Sequence, residues 1–111
     1  MDRERSNDLQ RLQVKGAITH PMKWDNVNNV GKFFVSSDET GIKHRYCISV
    51  FGSFGRTIFD IIGEQKQLEG HQVVGRSVFV SGKFEIKTFL HKKTNHPLSI
   101  IDVNAIDIRV F

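Results

Sequence analysis

Val78 to Phe89 reads VFVSGKFEIKTF. Val78 and Val80 alternate with Phe79 and Ser81, which is the period of a strand buried on one side. The alternation runs into Gly82, a residue that marks a bend or a close backbone approach inside a strand. Beyond the glycine, Lys83 and Lys87 share a short span with Phe84 and Phe89. Cations neutralise phosphates and flat rings stack on bases, so a bent strand of this composition suits a nucleic-acid ligand. The same stretch also suits an ordinary barrel strand with a solvated face, so the flanking sequence has to decide.

Upstream, Leu12, Val14, Gly16 and Ile18 alternate with Gln13, Lys15 and Ala17, giving a first strand. Thr19–Asn29, with Pro21, Trp24 and several asparagines, reads as a loop. Lys32–Ser37 is a second strand, with Phe33 and Val35 on the core face and Lys32, Phe34 and Ser36 opposite. A turn over Asp38–Gly41 leads to a third strand, Lys43–Phe51. Its Tyr46, Ile48 and Val50 face inward; Arg45, Cys47, Ser49 and Phe51 face outward. The period then lengthens. Phe54, Ile58, Ile61 and Ile62 define one face of a short helix with Ser53 as N-cap and Gly63 as its stop. Glu64–Gly75 is a polar connection. The quoted stretch is the fourth strand, Ser77–Phe89; His91–Pro97 is a hairpin tip, and Ser99–Phe111 is the fifth strand. The alternation of the fifth strand shifts phase near Ala105, as a bulge would cause. Three strands, one helix and two strands predict an all-β fold: a five-stranded Greek-key OB-fold barrel with one short helix between strands 3 and 4.

The 111 residues suit one domain over 11–111, preceded by a mobile polar tail over 1–10. Nine phenylalanines against one tyrosine leave rings over once a modest core is filled. The formal net charge is +4, and it is unevenly placed. Residues 76–98 hold Arg76, Lys83, Lys87, Lys92 and Lys93 against Glu85 alone, and residues 12–53 are also net positive. An anionic partner fits that distribution. Cys47 is the sole cysteine, which excludes an intramolecular disulfide and favours a reducing, cytoplasmic setting. Neither a membrane-spanning run nor a secretory h-region is present.

In the predicted order, three segments resemble the bacterial single-stranded DNA-binding proteins, over roughly Leu12 to Ile108. RYCISVFG (Arg45–Gly52) is similar to that family's third strand, and GRSVFVSGKFEIKTF (Gly75–Phe89) to its fourth. VGKFFVSSDE (Val30–Glu39) is similar to its second. The resemblance implies base stacking at Phe51 and Phe89, and at Arg45 a stacking or phosphate contact in place of an aromatic. The family's long acidic-tipped tail has no counterpart before Phe111. A tailless single domain of this kind is similar to the primosomal protein B branch used in replication restart, and to phage- or plasmid-encoded binding proteins. Nucleoid association and a part in replication, restart or recombination follow from the resemblance, alongside replication or recombination proteins as partners.

The strand phases put Lys32, Phe34, Arg45 and Phe51 outward together. Exposed phenylalanines beside cations need a reason, and base stacking supplies one. The alternative is that these rings pack beneath a loop, the helix or a partner subunit. Trp24, beside Lys23, flanks the same face or else caps the barrel end. Lys83, Lys87, Lys92 and Lys93 are phosphate contacts or a solvated surface. Three stacking platforms contribute about 3–9 kcal/mol before ordering costs. Four or five phosphate contacts give a log–log salt slope of about −3. One domain then binds weakly, so a homodimer or homotetramer is expected. Sequence preference should be slight, and RNA remains open beside DNA.

Other chemistries fare worse. His91 and His96 have no second pair at ligand spacing, so no metal or other cofactor is expected. His44 and Cys47, three apart on one strand, face opposite sides and do not form a nucleophile–base pair. GSFG (Gly52–Gly55) lacks the lysine of a phosphate loop. Asp102 and Asp107 have no acid–base partner in sequence, and the expectation is a binding protein, not an enzyme. A protein-interaction subunit with an aromatic docking face is the competing class.

Overall fold

The computed structural model describes residues 11–37, 44–90, 92–93 and 97–111. The proposed tail over 1–10, the turn at 38–41 and most of the 91–97 tip lie outside the described residues, as does the side chain of Phe89. Strands β1 (Arg11–Asp25), β2 (Val30–Ser37), β3 (His44–Phe51), β4 (Ser77–Leu90) and β5 (Pro97–Val110) close into a barrel in the order β1-β2-β3-β5-β4. Neighbours are antiparallel except β3 and β5, which run parallel, and β4 closes the barrel on β1. Among the described residues, no helix is long and apolar enough to cross a membrane.

The inward set follows the alternation. Phe33, Val35, Ile48, Val50, Val78, Val80 and Val103 are fully buried, and Val14, Ile18, Tyr46 and Ile108 join them. Gly82 is the pivot of the quoted stretch. Ser81 pairs with Asp107, but Gly82 pairs with Ala105, so Ile106 is the extra residue of a bulge in β5. A Cβ on Gly82 would run into the backbone carbonyl of Asn104. Only a glycine lets the two strands approach at this step.

Four departures from the sequence reading have local causes. β1 continues through residues read as a loop, because two register shifts, at Ile18/His20 and His20/Lys23, carry it around Pro21. A proline fits where the ladder slips and no N–H is required. Met22 thereby enters the core, fully buried. Second, the helix is two helices, α1 (Gly52–Ile62) and α2 (Glu64–Leu68), separated by Gly63. α2 has no buried residue to give it periodicity. Side chains tie the region down instead. Gln65 Nε2 donates to the Phe59 carbonyl at 3.1 Å, while Gln67 Oε1 accepts from the Val73 and Val74 amides at 3.0 and 3.1 Å. Val73 is buried as a result. Third, Ser53 is not the cap; Phe51 holds that position and no side chain caps the helix. Fourth, Ile61 is 42% exposed rather than buried. The packed face of α1 is centred on Gly55, Ile58 and Ile62. Gly55 lies so close to the Val50 carbonyl that a Cβ would collide with it, which explains a glycine in mid-helix.

Candidate nucleic-acid interface

Pleating sends alternate residues of each strand outward, and register then decides which of them meet. Lys32 pairs with Ser49, Ser49 with Asn104, and Asn104 with Lys83. One rung across β2, β3, β5 and β4 thus begins and ends on a lysine, with a hydroxyl and an amide between. The next rung runs Phe34, Cys47, Asp102, Glu85.

Above these rungs lies an open groove of about 590 Å³. Lys32, Phe51, Lys83 and Lys87, all singled out from the sequence, line it together. Phe51 is half exposed at its edge. The groove also holds Glu85 and Asp102, which sequence reasoning left out of the site. Lys87 Nζ lies 3.0 Å from Asp102 Oδ2. That hydrogen bond and the carboxylate's charge hold the Lys87 ammonium above its ordinary value. Lys87 therefore stays charged at neutral pH, but its charge is partly offset by a neighbouring carboxylate. The pairing was invisible in sequence because only the register of the β4–β5 hairpin, with Glu85 opposite Asp102, sets Asp102 diagonally from Lys87. Cys47, beneath the same rung, has its thiol pushed up, chiefly by burial and then by Asp102. Its thiolate fraction at neutral pH is correspondingly small.

A second, smaller hollow of about 280 Å³ adjoins the first. His20, Trp24 and Phe34 line it with Lys23 and Lys32, so Lys32 borders both spaces. Its rings are held in place. Arg45 lies over Phe34 at 5.0 Å, and His20 stands edge-on to the same ring with centroids 5.5 Å apart. Arg56 lies over Trp24 at 5.0 Å, and Trp24 leans on Phe59 of α1 at 6.0 Å. Trp24 is thus both a partial lid on the helix and a wall of the hollow. Arg45, exposed, packs on a protein ring rather than standing alone. Arg56 was not anticipated; its position, one helical turn from the end of β3, carried no periodic signal.

Lys92 and Lys93 are exposed in the β4–β5 turn and line neither space. The backbone of Phe89 pairs with Leu98 within that hairpin. Among the described residues, no group of three or more His, Cys, Asp or Glu side chains is placed to hold a metal ion.

No family model matches the chain, and no curated protein matches it in sequence. Solved structures do match in backbone. A small single-stranded DNA-binding protein from Streptomyces coelicolor superposes with a TM-score of 0.66 at 13% identity, over 91% of this chain and 93% of that one. Rim1, a mitochondrial single-stranded DNA-binding protein of S. cerevisiae, gives 0.61 at 17% identity, again over 91% and 93%. The Plasmodium falciparum single-stranded DNA-binding protein, solved with single-stranded DNA, gives 0.52 at 16% over 92% and 94%. The chain therefore has the closed OB-fold barrel of the single-stranded DNA-binding proteins.

Proposed function

We propose that this protein binds single-stranded DNA with little sequence preference, laying the strand across β2, β3, β5 and β4. One observation carries the reading: Lys32, Phe51, Lys83 and Lys87 come from three strands and share one open groove. An exposed ring stacks on any base, and ammonium groups beside it neutralise phosphates. The likeness to solved single-stranded DNA-binding proteins supports the same ligand. Arg45 and the exposed Lys92 and Lys93 extend the positive surface along the β3 end and the hairpin, and Phe89 sits at the hairpin's base.

Glu85 and Asp102 offset part of the charge, so one domain binds weakly. Useful affinity then comes from two or more domains on one strand, as a homodimer or homotetramer. Coating or handing over strands in replication, restart or recombination, within the cytoplasm and nucleoid, is the role that this chemistry suits. Recognition without bond making needs no cofactor and no catalytic residue.

The test is fluorescence anisotropy of a dye-labelled oligo-dT at several salt concentrations. About four phosphate contacts give a log–log slope near −3, at about −0.7 per contact on a single strand. No binding at low salt would sink the reading and point to a protein-docking face; a matched oligo-U run decides between DNA and RNA. A second expectation concerns the embedded acid. Asp102→Asn removes a carboxylate from the groove and releases Lys87. Binding should tighten by a few-fold at most, as expected of a solvent-screened surface charge pair. Weaker binding by the same assay would show that Asp102 positions Lys87 rather than competing for it.

A further inference from the structure

Lys23 and Lys32 are direct cross-strand partners on β1 and β2, and both are exposed. Like charges placed opposite one another destabilise a strand pair, so this placement favours a bound anion between them. They stand at the rim of the 280 Å³ hollow walled by His20, Pro21, Trp24, Asp25 and Phe34. At that size it lies just under the range of about 300–1,000 Å³ occupied by pockets for drug-sized ligands. One ring system fits; a stretch of chain does not. One carboxylate, Asp25, also lines the hollow and feels the Lys32 charge, but its oxygens are engaged by the 26–29 turn. Asp25 Oδ1 accepts from the Val27 amide at 2.9 Å and the Asn28 amide at 3.2 Å, while Oδ2 accepts from Asn28 Nδ2 at 2.8 Å. Those bonds, with Lys32, hold its carboxyl below the ordinary value and turned to the 26–29 turn.

We propose that the strand does not end in the main groove: it crosses Lys32, lodges one further base against Trp24 and Phe34, and sets the adjoining phosphate between Lys23 and Lys32. Lys32 is the hinge of the track because it borders both spaces. This rests on the single-stranded DNA reading and adds a second, separate subsite to it. Arg45 over Phe34 and Arg56 over Trp24 each add a weak cation–π contact that favours these ring positions.

Trp24 lines the hollow and not the main groove, so two signals separate the two events. Anisotropy of labelled oligo-dT reports binding anywhere; Trp24 fluorescence reports occupation of the hollow. In a series of increasing length, short oligomers should raise anisotropy without quenching Trp24. Past a threshold length, quenching should appear together with a step in Kd of about 5-fold or more, the contribution of one stacked base. Lys23→Ala, an exposed position, should remove that step and make the salt slope shallower by about 0.7, while short oligomers bind as before. Binding at every length without quenching would overturn the proposal and leave the main groove standing. So would a step that survives Lys23→Ala unchanged. No anisotropy change at any length overturns the functional reading and this inference with it.

Discussion

Phe33→Ala is expected to lower the unfolding free energy by about 3–5 kcal/mol, the range for removing a fully buried phenylalanine. Phe33 has no accessible surface and sits inside the barrel among Val35, Ile48 and Val50. The cavity left by the ring is bounded by paired strands on several sides, which cannot collapse without breaking the ladder. Single domains hold only about 5–15 kcal/mol in total, so the variant is left near the threshold of folding. The measurement is urea unfolding followed by Trp24 fluorescence, since Trp24 packs on α1 and reports tertiary structure. The adjacent Phe34→Ala is the control. Its ring is only half-buried on the outer face, and the loss there should be about 1 kcal/mol. Equal losses at 33 and 34 would refute the strand phase on which the whole site depends.

Phe51→Ala has the opposite profile. The ring is half exposed, and Lys32, Lys83 and the groove lie beside it. Its removal should leave stability within about 0.5 kcal/mol, as for most surface changes. Affinity for oligo-dT should fall by about 5- to 150-fold, equivalent to roughly 1–3 kcal/mol for one stacking platform. The salt slope should not change, because no phosphate contact is lost. That separation of affinity from slope is the signature of stacking. Phe51→Trp should restore or exceed the original affinity. A loss of slope with Phe51→Ala, or no loss of affinity, would remove Phe51 from the site.

The two variants show what kind of information the chain carries along its length. β2, β3 and the first part of β4 were legible because alternation is a property of neighbours two apart, and there the pleat is regular. The second half of β1 was not legible. Two register shifts around Pro21 destroy the period while leaving the strand intact. α2 was illegible for the complementary reason: it buries nothing, and hydrogen bonds from Gln65 and Gln67 leave no hydrophobic pattern. The bulge in β5 was visible as a change of phase, yet its partner, the close approach of Gly82 to Asn104, required the barrel.

By itself, the order of apolar and polar residues determined the succession of strands, the inward set headed by Phe33 and Val80, and the surplus of cations in 76–98. These are local or additive quantities. Only the closed barrel decided which outward residues meet. The parallel pairing of β3 with β5 sets Ser49 beside Asn104 and Cys47 beside Asp102. It therefore puts Lys32 and Lys83 on one rung, while the β4–β5 hairpin gives Lys87 its carboxylate partner and the β1–β2 pairing leaves Lys23 facing Lys32. Lys32 and Lys83, some fifty positions apart, have no shared period, so their meeting depends on register and closure, which are set by packing of the whole core.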